Sequence, residues 1–500
     1  MFSVSFYFSK SGYCRLWQCP KMVWLKKYHP ELAQEDPATE ARMEAGNEIG
    51  DLAMGLFGDF VETTVLGEDG WPDINAMLDR TRECLRAGVE NICEAAFSHD
   101  GLYCAVDILR KENGGYAIYE VKSSTGPKQV YAADIAYQKY VLENCGITVT
   151  GTYLICIDNQ YVRKEALDIQ KLFKVVDMTA MVAQEYPKVE GILQKGQKIL
   201  DSDAEPVQDI GCHCADPYDC VFFGYCSRHL PSPSVLDLYV KRSGGLKLYQ
   251  QGMTTFSDVL KKGKPNKKQQ RQIHHALDDC GEEIDKAGIQ AYLDTLTYPL
   301  HFLDFESMQQ AIPQYPGARP YAQIPFQYSL HYIDTPGGEL KHKEFLAEPD
   351  TDPRRAIAES LCENIPVNAC VMVYNKTFEC TRLQELAELY PDLSAHLLTI
   401  RENISDLMIP FNKGYYYTRS MGCSVSIKSV LPALFPDDPE LDYHNLEGVH
   451  NGGEAMNLYP QLGKLPPEAA AQLRKDLLAY CKLDTYAMVK IWQKLREAVQ

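Results

Sequence analysis

The segment His301-Phe-Leu-Asp-Phe-Glu-Ser307 carries two acids, Asp304 and Glu306, in an otherwise apolar run. In an extended strand, residues two apart point to the same face, so both carboxylates converge on one side. Phe302, Leu303 and Phe305 embed that strand in a core. Carboxylates so placed are expensive to bury unless a cation or a hydrogen-bond network answers them. A hard divalent ion such as magnesium suits the need, taking carboxylate oxygens while keeping water positions open. Taken alone, the pair equally fits a structural acid pair or a strand-end cap.

Two later segments supply what a two-metal site would still lack. Ala369-Cys-Val-Met-Val-Tyr374 reads as a second buried strand, followed by Asn375-Lys-Thr-Phe-Glu379 and an amphipathic helix through Leu383, Leu386 and Leu389. Glu379 falls in the first turn of that helix, where the dipole favours an anion. Near the C-terminus the run from Asp476 to Val489 has helical period. Its Tyr480 and Asp484 are four apart and share a face.

The first half holds a separate constellation. Gly101–Arg110 and Tyr116–Ser124 read as two strands of a hairpin, with the turn signal Glu112-Asn-Gly-Gly115 between them. Glu120 and Lys122 share a strand face, and the hairpin brings Asp107 beside them. Two acids with a lysine fit metal-assisted phosphodiester cleavage: the acids bind magnesium or manganese, and the lysine polarises water or the transition-state phosphate. The helix that follows, Ala133–Leu142, offers Gln138 and Tyr140. The plain alternative is an ordinary hairpin with an exposed ion pair.

The cysteines bear on that choice. Cys19 precedes Pro20, and much later come Cys212-His-Cys214, Cys220 and Cys226. The opening Met1–Lys10 lacks the basic start and long apolar run of a secretory signal. An odd total of 17 cysteines in a reducing, cytoplasmic setting argues against a disulfide framework. Soft thiolates clustered within fifteen residues then suggest zinc or an iron–sulfur cluster.

The Asp-Phe-Glu strand, the Tyr-Asn-x-x-Phe-Glu segment and the Tyr-Cys-x-x-Asp helix resemble the three motifs of DnaQ-like, DEDD-type exonucleases on an RNase H-like fold. The placement of Tyr480 resembles the tyrosine-bearing subclass, whereas Glu379 stands where aspartate is usual. The resemblance implies 3′-to-5′ removal of nucleotides by two metal ions. Asp304, Glu306, Glu379 and Asp484 would hold the ions, and Tyr480 would orient the water. The first half resembles RecB-like PD-(D/E)XK nucleases that carry an iron–sulfur cluster, including CRISPR-associated and AddB-type members. That resemblance makes Asp107, Glu120 and Lys122 the core site and Gln138 the helix motif. It makes Cys19, Cys214, Cys220 and Cys226 the ligands of a 4Fe–4S cluster (zinc being the alternative), with Cys14 and Cys212 as spares. Glu44-Ala-Gly-Asn-Glu-Ile-Gly50 resembles that family's first helix, with Gly50 where histidine is frequent, and Leu142 replaces a usual tyrosine. The pairing resembles an uncharacterised bacterial family that joins these two modules, sharing also Pro299–Glu306, Ile324-Pro-Phe-Gln-Tyr-Ser329 and Ser426-Ile-Lys-Ser-Val-Leu-Pro432.

Five hundred residues exceed what one core serves. The expected class is α/β: a PD-(D/E)XK module over 1–230, a helical linker over 231–296 opened by Pro231-Ser-Pro-Ser234, and an RNase H-like mixed sheet with flanking helices over 297–500. No apolar run is long enough to span a membrane. A net charge of −18 argues against a protein that coats nucleic acid nonspecifically, though not against a nuclease acting on DNA, or on RNA. The basic run Leu260–Arg271 is a candidate phosphate contact, and Tyr415-Tyr-Tyr417 a candidate stacking surface. Two other classes remain open: a nucleic-acid-binding scaffold with inactive sites, and a zinc-stapled interaction protein.

Overall fold

A computed structural model describes residues 7–34, 39–278 and 280–500. Most of the opening segment read for a signal, Met1–Phe6, lies outside the described residues. The chain forms two compact units: Met1–His229 with Gln310–Tyr321, and Leu230–Gln309 with Ala322–Gln500. Both are mixed α/β. Among the described residues, no helix is long and apolar enough to cross a membrane.

In the first unit the strands are β1 (Phe8–Ser9), β2 (Val61–Glu62), β3 (Asn91–His99), β4 (Leu102–Glu112), β5 (Gly115–Lys122), β6 (Val149–Ile157) and β7 (Phe173–Asp177). They make one sheet in the order β2-β3-β4-β5-β6-β7, with β1 pairing parallel to β4. The expected hairpin is β4–β5. Its turn puts Asn113 and Gly114 at φ +52° and +79°, the left-handed pair that a two-residue turn needs to match strand twist. Helices α1 (Lys10–Gln18), α2 (Pro20–Tyr28), α3 (Thr39–Met54), α4 (Ile74–Ala87) and α5 (Gln129–Asn144) accompany the sheet. Every residue of α5 from Val130 to Gln138 is buried. A helix enclosed on all sides has no solvated stripe, so Asp134 and Gln138 must find partners inside.

The second unit contains β8 (Glu283–Ile284), β9 (Leu300–Gln309), β10 (Gln323–Ile333), β11 (Lys341–Leu346), β12 (Cys370–Val373), β13 (Ile404–Asp406) and β14 (Tyr416–Tyr417). Its main sheet runs β11-β10-β9-β12-β13. β10 lies antiparallel to both β11 and β9, while β12 is parallel to β9 and to β13. The alternation of β9 decides everything downstream. Leu303 and Phe305 enter a core with Tyr328, Ile357, Leu361, Val371 and Leu386. Phe302 faces the other way, edge-on to Trp492 of the long helix Pro467–Val499, and Asp304 and Glu306 share its face.

Three expectations need correction. Residues 231–296 do not stand apart as a linker: the helices Arg242–Gln250, Phe256–Lys262, Lys267–Leu277 and Lys286–Leu293 cluster with the second unit, and β8 pairs with β14. The basic run is partly consumed there, Lys268 donating to Asn412 Oδ1 at 2.5 Å and Arg271 pairing with Glu283 at 3.0 Å. Tyr416 and Tyr417 are buried strand residues, so stacking between them and a base is closed off.

Candidate functional site

In the second unit, ligand atoms of Asp304, Glu306 and Cys481 all lie within 4.8 Å of one another. Among the described residues no other trio of histidine, cysteine or acid comes so close. The Cys481 thiol sits 3.9 Å from Asp304 Oδ2, one residue beyond Tyr480 on the long helix. Tyr480 and Asp484 are both buried, as a shared inward face requires. Tyr443 donates to Asp484 Oδ1 at 2.5 Å, and Tyr480 also bonds that carboxylate. Lys428 donates to the Tyr480 hydroxyl at 3.1 Å and to the His450 carbonyl at 3.0 Å, its charge lying over both tyrosine rings. A Cβ at Gly452 would lie 3.3 Å from Glu306 Oε2, so the backbone there closes tightly on that carboxylate.

Burial dominates the electrostatics. Together with the neighbouring Asp484 charge, it pushes the Glu306 carboxyl up to about 8 and that of Asp304 well above the ordinary range. Lys428 offsets only part of this. Asp484 is also raised by burial, against the pull of its two tyrosine hydrogen bonds. Glu379 occupies the first turn of helix Thr377–Leu389 as expected, 3 % exposed and raised by burial to about 8. It belongs to the same field, adding to the shifts of Asp304 and Glu306, but not to the tight group. Its Oε2 has no hydrogen-bond partner. The turn before it is held by Asp406, which accepts from the backbone N–H of Asn375 at 2.9 Å and of Met408 at 2.9 Å. Asn375 takes φ +68° there. Acids from β9 and two helices thus gather around Lys428, with Arg382 acting on Glu379, and burial keeps the carboxyls raised despite both cations.

The first unit answers its acids differently. Lys122 donates to Glu120 Oε1 at 2.5 Å and Asp134 Oδ2 at 3.1 Å. Gln138 donates to Glu120 Oε2 at 2.7 Å and Asp134 Oδ1 at 3.0 Å. Asp107 accepts from the Val121 N–H at 2.7 Å, so the hairpin does bring it beside Glu120. Lys10, the first residue of α1, bridges Asp107 Oδ1 at 2.8 Å and Glu120 Oε1 at 2.9 Å. Burial opposes charge on Glu120, yet Lys10 and Lys122 hold its carboxyl well below the usual range. Asp107 and Asp134 are raised, by burial and then by the Glu120 charge. Glu94 completes the group. The β3–β4 pairing skips from Cys93 to Ala95, and Glu94 at φ +54° feels Asp107, burial raising it to about 7. Tyr140 lies elsewhere, its ring 6.3 Å from that of Tyr186.

Cys19, Cys214, Cys220 and Cys226 line one cavity with Met22, Leu25 and Phe222. Burial pushes the Cys220 thiol up to about 12, with the other three cysteines as its charged neighbours. The Lys21 charge acts the other way on Cys19 and Cys226. Of the two spares, Cys212 does not line the cavity, and Cys14 sits instead by Asp134, Lys122 and Glu120.

Sequence reasoning missed Lys10, Glu94, Asp134, Tyr443 and Cys481 as members of these sites. Lys428 carried a signal, lying inside the Ser426–Pro432 run. Glu94 carried none, because its approach to Asp107 depends on the pairing of β3 with β4.

Fold and site together define a two-unit α/β protein with a buried carboxylate cluster in each unit and a four-cysteine cavity in the first. Residues 301–426 match the model of a domain of unknown function (DUF2779). The chain is 29 % identical over 243 residues to the uncharacterized protein UU173 of Ureaplasma parvum, covering 42 % of this chain and 33 % of that one. It is 29 % identical over 209 residues to the uncharacterized MG366 homolog of Mycoplasma pneumoniae, covering 38 % and 31 %. The matched part thus spans about a third of the length of these relatives.

Proposed function

We propose that this protein is a metal-dependent nuclease hydrolysing phosphodiester bonds of DNA, or of RNA, with a DEDD-type 3′–5′ exonuclease site in the second unit and a RecB-like site in the first. The observation that carries the reading is the close approach of half-buried Asp304 and buried Glu306 on one strand face, beside the Asp484 charge. The sheet order β11-β10-β9-β12-β13, antiparallel then parallel about β9, supports the RNase H-like assignment. The donor set suits a hard divalent ion, except for Cys481. Magnesium or manganese held by Asp304 and Glu306 would supply Lewis acidity toward a phosphate and its attacking water. The chain's own part is positional: Tyr480, braced by Lys428, turns a hydroxyl toward that water, and Tyr443 fixes Asp484. In the first unit Lys122 places a cation where negative charge develops. The four cysteines lining one cavity support a metal centre there, a 4Fe–4S cluster with zinc as the alternative, in a reducing, cytoplasmic setting.

One observation favours the scaffold reading for the first unit alone. Lys10 already neutralises the ground between Asp107 and Glu120 that an ion would take. The test uses end-labelled single- and double-stranded DNA and RNA with manganese, on wild type, Asp304→Ala, Glu120→Ala and the double variant. Loss of 3′ trimming in Asp304→Ala is expected. A wild type that binds manganese yet cleaves no substrate would replace the nuclease reading with the scaffold one.

A further inference from the structure

Beside the carboxylate cluster of the first unit opens a cleft of about 630 Å³, within the usual size of ligand sites. Its floor is the segment Lys122–Lys128 that leads into α5, and its walls are three tyrosines, Tyr131, Tyr218 and Tyr321. On a chain of net charge −18, none of its ten lining residues is acidic, and two are lysines. Lys122 belongs to both places: its ammonium holds Glu120 and Asp134 while its flank lines the cleft. The tyrosines are held rather than loose. Tyr321 has a left-handed backbone at φ +60°, a costly conformation for an aromatic residue, and its hydroxyl donates to the Ser123 carbonyl. The ammonium groups of Lys122 and Lys128 lie 5.8 Å and 5.7 Å from the Tyr131 ring centre. Tyr218 hydrogen-bonds Tyr131 yet is 50 % exposed.

Tyr218 comes from an unexpected source: the cysteine loop, between Cys214 and Cys220. That loop is pinned to α1 by Gln18, whose amide donates to the carbonyls of His213 at 2.8 Å and Tyr218 at 2.7 Å. It is closed on itself by the Cys220 N–H bond to the Cys214 carbonyl at 2.9 Å.

We propose that this cleft is a subsite for an unpaired nucleotide of the substrate strand, stacked on Tyr218 with its phosphate toward Lys128, and that the cysteine centre serves to hold Tyr218 there. The chemistry singles out this ligand class, because it combines a flat aromatic face with an anion and must approach Lys122 and the acids beyond it. A paired base has no free face to offer. The inference rests on the nuclease reading of the first unit, and it assigns the cysteine loop a grip on substrate in addition to closing the module.

Anisotropy of fluorescein-labelled single-stranded DNA, the matching RNA and a blunt duplex, in divalent-free buffer, separates binding from cleavage. The full chain should hold both single strands more tightly than the duplex. Tyr218→Ala should weaken single-strand affinity roughly 5- to 150-fold, the range for losing one stacked base, while Tyr218→Phe keeps it. Lys128→Ala should lower the slope of log affinity against log salt by about 0.7, one phosphate contact on a single strand. Cys220→Ser should match the loss in Tyr218→Ala; unchanged affinity there overturns the role given to the loop. Should that variant fail to fold, Tyr218→Ala, checked by its melting curve, still decides the subsite. Unchanged affinity in Tyr218→Ala, or an equal loss for the duplex, overturns it. Manganese-dependent cleavage scored in parallel keeps the two ideas distinct. Binding lost in Tyr218→Ala with no cleavage by wild type sinks the nuclease reading alone; cleavage with Tyr218→Ala binding normally sinks the subsite alone.

Discussion

Replacing Glu306 by glutamine should make the metal-free protein more stable at alkaline pH and leave it nearly unchanged in acid. The Glu306 carboxyl rises from its ordinary 4.5 to about 8 on folding, chiefly by burial and then by the Asp484 charge. The folded state therefore holds its proton over a window where the unfolded chain has released it. By linkage, this contribution to stability is fully present below about 4.5 and is lost as pH climbs toward about 8. At about 1.4 kcal/mol per pH unit, the loss between pH 5.5 and 8 is about 3 kcal/mol. In a unit of this size that is a fall of roughly 6–12 °C in melting temperature. Glutamine has the same shape as the protonated acid and cannot ionise, so it should abolish this part of the slope. Calorimetry at several pH values in chelator, wild type against Glu306→Gln, reads the difference directly and cancels groups common to both. Manganese should reverse the ranking at pH 8, because it binds N and not U and wild type offers the better ligand. Melting temperatures that stay a constant distance apart from pH 5.5 to 8 would refute the reasoning, since Glu306 would then be neither desolvated nor crowded.

Three further outcomes follow from named contacts. With the proposed cluster in place, the purified protein should carry iron and a visible chromophore, and Cys220→Ser should remove both and destabilise the first unit, because metal binding is coupled to folding; metal analysis that finds zinc and no iron would overturn the cluster. Lys10→Met should destabilise the chelated protein by about 3–5 kcal/mol, the cost of stripping one partner from a buried ion pair, and manganese should restore most of it. If manganese gives no recovery in urea titrations, Asp107 and Glu120 do not form a cation site. Tyr443→Phe should cost about 1.5–3 kcal/mol, the range for a hydrogen bond to a charged group, seen in melting curves and in slower single-turnover trimming. A normal trimming rate would show that Asp484 needs no such anchor.

Much of the architecture was readable in the chain because it depends on local period. The alternation of residues 301–307 placed Asp304 and Glu306 on one face, and the four-residue spacing of Tyr480 and Asp484 turned both inward. The Asn113-Gly114 turn set the β4–β5 register that seats Asp107 beside Glu120. The family resemblance singled out the four cysteines that line one cavity, with Cys14 and Cys212 set aside as spares, though not that Cys14 would sit by Asp134, Lys122 and Glu120. What tertiary structure alone decided is where distant groups meet. Lys10 and Glu120 are 110 residues apart, and Tyr443 and Asp484 meet only because a loop folds over the long helix. The charge state of each acid likewise depends on burial and on neighbours from other segments, neither of which a local pattern encodes. Glu94 reaches its site through the pairing of β3 with β4, and Tyr218 reaches its cleft through the loop between Cys214 and Cys220. Sequence therefore fixed which faces carry chemistry, and packing fixed which cation each acid finds.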